Sequence, residues 1–228
     1  MNYTTRILMI WLINGRRWKR EIWFKLAVIM IDKLKKQLQF LAEADKLKNI
    51  QRQTFITDKS RQENSAEHSW HFALTAMSLY EYCGLDDVDI NRVIKMALIH
   101  DLVEIYAGDT PAYDAKGNED KDEREKEAAD KLFSLLPDEQ ASEYRLLWEE
   151  FECMQTPDAV FGAAIDRLQS FHNIYLSGAQ PWIKYKVTTD KIYSRMSPVK
   201  TALPELWEYV EYVVNDGLEK GYILPEDR

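Results

Sequence analysis

The sequence predicts an all-α protein built as a single helical bundle. Three observations carry this: apolar residues recur at three- and four-residue spacing, cap residues precede the periodic segments, and no convincing pair of strands appears. At 228 residues, one domain with a real core is the natural expectation. No internal repeat is present.

The first elements are the least like the rest. Ile7 to Ile13 is a short apolar run, broken by Gly15-Arg-Arg-Trp-Lys-Arg20 before apolar residues resume from Ile22 to Ile31. Neither piece reaches the roughly 18–20 residues that span a bilayer. The positive charges mostly follow the first run, the reverse of a signal peptide. An amphipathic membrane-surface helix is one reading. The plainer one makes residues 1–29 a functionally silent extension and begins the domain at Met30, so that it covers 30–228.

From Ile31 the chain reads as helix after helix. Ile31, Leu34, Leu38, Leu41, Ala44 and Leu47 form one apolar stripe. A second helix covers residues 65–83, with Asn64 or Ser65 as N-cap and Gly84 as its stop. Asp89 caps a third, which carries Val93, Met96, Ala97 and Ile99. The charged stretch Asn118 to Asp130 leads to a helix that ends near Leu136-Pro137, and within it the run Asn118 to Glu127 reads as a solvated helix start rather than a flexible lid beside the site. Two more cover 138–153 and 158–177. After a turn at Gly178-Ala-Gln-Pro181 come shorter helical pieces near 189–196 and 204–216. The aromatic residues of the C-terminal half read as core or subunit interface.

Composition excludes several classes. Apolar residues make up 46% and charged residues 30%, the balance of a folded, water-facing domain. A net charge of −8 argues against a nucleic-acid polymer as partner, although Arg and a metal can still reverse the sign inside a small pocket. Two cysteines, Cys83 and Cys153, are too few for a disulfide framework, which fits a reducing cytoplasm. No membrane partner is expected.

The chemistry concentrates in Ile99-His100-Asp101-Leu-Val-Glu104 and the Gly108-Asp109-Thr110 that follows. A His–Asp doublet offers one nitrogen and one oxygen to the same divalent cation, and Glu104 lies about a turn further on. Polar groups this dense behind an apolar run are costly to bury without a partner, and a metal is such a partner. Further ligands come from the four histidines and from carboxylates on apolar helices. His68 and His71, three apart, share a helix face, and one is expected to bind while the other packs. Asp166, in Phe161-Gly-Ala-Ala-Ile-Asp166, is otherwise unexplained on its apolar helix.

In order and spacing, Ser65-Ala-Glu-His68, His100-Asp101-Leu-Val-Glu104, Gly108-Asp109-Thr110 and Asp166 resemble the HD-domain metal-dependent phosphohydrolases. Within them the chain is most similar to the 5′-deoxynucleotidase branch, over about residues 31–215. The resemblance implies that His68, His100, Asp101 and Asp166 hold one divalent ion, while His71 matches nothing in the pattern. It also implies that Glu104 and Asp109 sit beside the metal-bound water and the substrate, as the catalytic pair. The division of roles between them stays open. Mixed nitrogen and oxygen ligation suits Mn²⁺, Co²⁺, Fe²⁺ or Zn²⁺ better than Mg²⁺. In the region where related deoxynucleotidases supply phosphate-binding arginines lie Arg52 and Arg61, which join Thr110 as substrate-binding candidates. Here the chain departs from the bacterial deoxynucleotidases, which carry an Arg-Trp pair upstream, since Arg52 and Arg61 are each followed by Gln.

The implied activity is hydrolysis of deoxynucleoside 5′-monophosphates by a dimeric enzyme. An alarmone or cyclic-nucleotide hydrolase is the nearest catalytic alternative, and a non-catalytic nucleotide sensor the alternative from another class. Against the alarmone reading, Glu104 is followed by Ile105 rather than a second acid.

Overall fold

An unbroken helix, α1 (Arg17–Ala44), leads into a short 3-10 turn at Asp45–Asn49 and then into the body of the protein. The structure is a computed structural model, and it describes residues 17–226. Residues 1–16 of the expected N-terminal extension lie outside the described residues, and α1 runs without a break across positions 29 and 30.

The stripe expected on this helix is not a core face. Ile31, Leu34, Leu38 and Leu41 are each more than half exposed, and only Phe40 and Leu47 are buried. The reason is geometric, since α1 touches the body along the side that carries Phe40, whose ring meets Tyr144 edge-on at 5.8 Å. Residues on the opposite side face outward.

The structure also corrects the expectation of no paired strands. Gln51–Phe55 (β1) and Gln62–Asn64 (β2) form a small antiparallel hairpin, with Gln51 opposite Asn64 and Phe55 opposite Gln62. These strands hold mostly Gln, Arg, Glu and Asn, which have little strand preference, so no local pattern announced them. The tertiary setting does the work: Thr54 is buried and its hydroxyl donates to buried Glu63 at 3.1 Å.

The helices follow the expected order. In α2 (Ser65–Leu79), the Asn64 side chain accepts from the Glu67 backbone N–H and the Glu67 carboxylate accepts from the Asn64 N–H, a complete capping box. Asp89 caps α3 (Ile90–Ile99), and its side chain accepts from the Asn91 N–H at 2.9 Å. A 3-10 turn at His100–Val103 and the short α4 (Glu104–Ala107) follow directly. Then come α5 (Lys121–Phe133), α6 (Asp138–Cys153) and α7 (Pro157–Leu176), each within a few residues of its expected place. The C-terminal part is α8 (Gln180–Lys184), α9 (Thr189–Arg195), α10 (Ser197–Ala202) and α11 (Trp207–Glu219).

Helix α7 runs through the middle. It packs on α2, α3, α6 and α10, and Phe161, Ala164 and Ile165 on it are fully buried with Phe72 of α2 and Met96 of α3. Burying a side chain of this size stabilises by about 1.5–3 kcal/mol, so a core of this extent holds the helix ends in register. Among the described residues no helix is long and apolar enough to cross a membrane.

Candidate metal centre

Three chain segments far apart in sequence deliver the polar cluster. His68 projects from the first turn of α2, His100 and Asp101 sit where α3 tightens into its 3-10 turn, and Asp166 lies midway along α7. His68 Nε2 is 2.9 Å from Asp166 Oδ1, and His100 Nε2 is 3.0 Å from Asp101 Oδ1. One ligand atom from each of His68, His100 and Asp101 lies within 4.8 Å of the others. Beneath them is an aromatic floor: the Phe72 ring centroid is 5.2 Å from that of His100, and Phe151 lies 5.1 Å from the same ring.

The histidines are prepared as ligands. His100 Nδ1 is 2.9 Å from the Ala97 carbonyl oxygen, so it must carry the proton and donate, which leaves the Nε2 lone pair free. That Nε2 is buried and has no hydrogen-bond partner, because Asp101 is near but out of line. The buried Glu63 carboxylate stands 3.9 Å from His68 Nδ1, on the side away from Asp166. A buried ring nitrogen without a partner, facing two carboxylates, is what a divalent cation would satisfy. The residues present therefore fit a divalent metal, with two imidazoles and two carboxylates as donors.

The electrostatics agree. Burial opposes the charged forms here, yet the neighbouring Asp101 and Asp166 lift His100 to about 9, so the site favours positive charge at this ring. Burial likewise opposes ionisation of Asp101 and Asp166. His100 and Arg52 beside Asp101, and His68 beside Asp166, overcome it and hold both well below the usual carboxylate range.

The remaining candidates divide. Glu104, Asp109, Thr110 and Arg52 line the same cavity of about 230 Å³ as His100, Asp101 and Asp166. Glu104 is buried and accepts a hydrogen bond from Ser65 Oγ at 2.6 Å. Burial and the charge of Asp101 push its pKa well above the ordinary value. Asp109 is pushed up in the same direction, by burial first and then by Asp101, against the pull of Arg52. It follows Gly108, whose φ of +77° suits glycine and turns the chain back toward the cavity. Arg52 Nη1 donates to Asp101 Oδ2 at 2.6 Å, so its guanidinium is engaged with that carboxylate. The Thr110 hydroxyl accepts from Arg124 Nη2 at 3.1 Å, and Arg124 also donates to the carbonyls of Ala107 and Gly117, pinning the loop.

Arg61 is placed elsewhere. It is exposed and grips Glu67 through two hydrogen bonds of 2.7 Å, bracing the capping box of α2 rather than entering the cavity. The nearby Glu67 carboxylate outcompetes a distant ligand for its fork. His71 accepts from Gln169 Nε2 at 2.8 Å, away from the cluster. The sequence reading did not single out Ser65 as a hydrogen-bond donor, nor Glu63 and Arg124. It also passed over Lys121 and Arg195, which line the cavity together with Arg167. Only Ser65 carried a signal, through its place in the helix-start motif.

A helical bundle with this buried cluster defines the class: residues 44–207 match the HD domain family, and the chain belongs to it. It is 44% identical to a protein of Magnetospirillum magnetotacticum described as a predicted metal-dependent phosphohydrolase. That crystal structure superimposes with a TM-score of 0.80, covering 85% of this chain and 97% of the other. The human protein named 5′-deoxynucleotidase HDDC2 is 31% identical over 133 residues, 58% of this chain. The match spans 63% of that relative's length, just under two thirds. An HD-domain phosphohydrolase of Listeria innocua, 22% identical with a TM-score of 0.54, covers 80% of this chain and 85% of its own and shares the fold alone.

Proposed function

We propose that the chain is a metal-dependent phosphohydrolase that cleaves deoxynucleoside 5′-monophosphates to the deoxynucleoside and phosphate. The single observation that carries the reading is the assembly of His68, His100 and Asp101, with Asp166 against His68, around a buried, unpartnered imidazole nitrogen beside two raised carboxylates. The relatives named 5′-deoxynucleotidase support the substrate class.

His68, His100, Asp101 and Asp166 would hold the ion, with Mn²⁺, Co²⁺, Fe²⁺ or Zn²⁺ favoured over Mg²⁺ by the nitrogen donors. Such an ion lowers the pKa of a bound water, to about 7 in the best zinc cases, and neutralises charge on a phosphoryl group. Glu104 and Asp109 do the proton work. A carboxylate held above its ordinary pKa accepts a proton from water near neutral pH more readily than an exposed one. Ser65 fixes which Glu104 oxygen is committed and leaves the other to face the cavity. Asp109, beside Thr110 on the loop that Arg124 pins, serves the leaving 5′-oxygen or the sugar. We place the enzyme in the cytoplasm as a homodimer, in keeping with its free cysteines and with the pairing expected from its family resemblance.

The test is phosphate release from ribo- and deoxynucleoside 5′-monophosphates with Mn²⁺, Co²⁺, Mg²⁺, Zn²⁺ or chelator, alongside Glu104→Ala. Metal-dependent release that favours deoxy substrates and vanishes in the variant supports the reading. Absence of release with metal bound overturns it.

A further inference from the structure

Besides His100, four basic side chains line the cavity: Arg52, Lys121, Arg167 and Arg195. Two of them are neutralised within the protein. Arg52 lies 2.6 Å from Asp101, and Lys121 lies 3.5 Å from Glu125. Arg167 and Arg195, among the described residues, have no carboxylate within the 4.0 Å of an ion pair. They are nonetheless held in place. Arg167 Nη1 donates to the Arg195 carbonyl oxygen at 2.8 Å and Nη2 to Met154 Sδ at 3.2 Å, which binds the C-terminal end of α9 to the middle of α7.

Their position separates them from the metal ligands. Arg167 follows Asp166 directly on α7, and successive residues of a helix point about 100° apart. While Asp166 faces His68, Arg167 is carried round toward α9 and Met154. The cavity between these walls is lined by Phe171, Ile174, Trp182 and Tyr113. Phe171 and Trp182 are almost wholly buried, a surface suited to the ring body of a nucleoside. Asp166 and Glu152 act on Arg167 only from beyond ion-pair distance, so two adjacent guanidinium groups stay without a close counter-charge, an arrangement that a dianion relieves, and the planar fork of Arg matches phosphate oxygens in pairs. A neutral base edge would accept hydrogen bonds but bring no negative charge within contact distance of either guanidinium.

We propose that Arg167 and Arg195 form a second anion subsite that takes a further phosphate group of the substrate, beyond the one positioned at the metal ligands. The preferred substrate is then a nucleotide with phosphates on two sugar positions, a nucleoside 3′,5′-bisphosphate being the simplest. This rests on the phosphohydrolase reading for turnover, but the binding claim stands apart from it.

The experiment compares a deoxynucleoside 3′,5′-bisphosphate with the 5′-monophosphate of the same nucleoside, for the wild type, Arg195→Met and Arg167→Met/Arg195→Met. Phosphate release with Mn²⁺ gives the ratio of kcat/KM values, and calorimetric titration of the chelator-treated protein gives the ratio of Kd values. Arg195→Met retains the carbonyl that holds Arg167, so it preserves the α7–α9 link if the double variant fails to fold. The wild type is expected to favour the bisphosphate at least 10-fold in both ratios, with the margin falling toward one in both variants. Ratios near one in the wild type overturn the proposal. So do equal losses on both substrates, which would put the pair on the scissile phosphate or the base. If no phosphate is released from either substrate, hydrolysis fails as a reading, and the Kd ratio alone decides the subsite.

Discussion

Arg52→Met isolates the charge balance of the candidate metal centre. The guanidinium is almost buried, with a side-chain exposure of 13%, and lies 2.6 Å from an Asp101 oxygen at 11% exposure. Burial alone would weaken its charge, but Asp101, Glu104, Asp109 and Asp166 all act on it and raise its pKa above the ordinary arginine value. At an effective dielectric of about 20, one such contact at 2.6 Å is worth about 6 kcal/mol before desolvation is set against it. Removing one member of a buried pair costs roughly 3–5 kcal/mol, because the other charge is left unpaired. For a chain of this length each kcal/mol moves Tm by about 2–4 °C, so a loss of roughly 6–20 °C is expected in chelator. A saturating divalent ion supplies Asp101 with the positive charge it lost, so Mn²⁺ should narrow the gap to the wild type by at least about 1 kcal/mol. The assay is thermal or urea unfolding of both proteins in chelator and in Mn²⁺. A loss below about 1 kcal/mol in chelator, or a gap that Mn²⁺ leaves unchanged, refutes the reasoning.

Three further outcomes are expected. Phe72→Ala empties the fully buried floor beneath His68 and His100 and should cost about 3–5 kcal/mol, with weaker Mn²⁺ binding by titration; a loss under about 1 kcal/mol would deny the floor its role. Ser65→Ala removes the donor 2.6 Å from Glu104, a bond of about 1.5–3 kcal/mol to a charged group. The acid limb of the pH–rate profile should therefore move to higher pH, and an unmoved limb would exclude Glu104 as the titrating group. Glu125 is raised from 4.5 to about 7, by burial first, against the pull of Lys121. The native state thus holds a proton the unfolded state has lost between those values, so stability in chelator should fall by roughly 2–3 kcal/mol as pH rises from about 4.5 to 7 and then level off. Glu125→Gln should flatten that part of the stability curve, and an unchanged slope would place the titration elsewhere.

Much of the architecture was legible because its causes are local. Asn64 before Ser65 and Asp89 before Ile90 each start a helix with a cap that chain neighbours complete. The adjacent His100 and Asp101, stranded behind an apolar run, and Asp166 on its apolar helix stood out because burying them demands a partner. Arg52 and Arg61 could not be told apart in this way. They sit nine positions apart on and beside the same hairpin, and only the fold puts one against Asp101 and the other against Glu67.

The hairpin, the outward stripe of α1 and the cations of the far cavity wall belong to long-range packing. Gln51–Phe55 is a strand because Glu63 and Thr54 meet across it, and Ile31, Leu34, Leu38 and Leu41 are exposed because Phe40 turns the opposite side of the helix to the body. Arg167 reads from sequence as the neighbour of a ligand; its lack of a carboxylate partner depends on α9, some thirty positions away. Caps and apolar periods are written in adjacent residues and survive without a fold. A charge's partner is decided by which distant segments the core brings within a few ångströms, and that information exists only once the helices have packed.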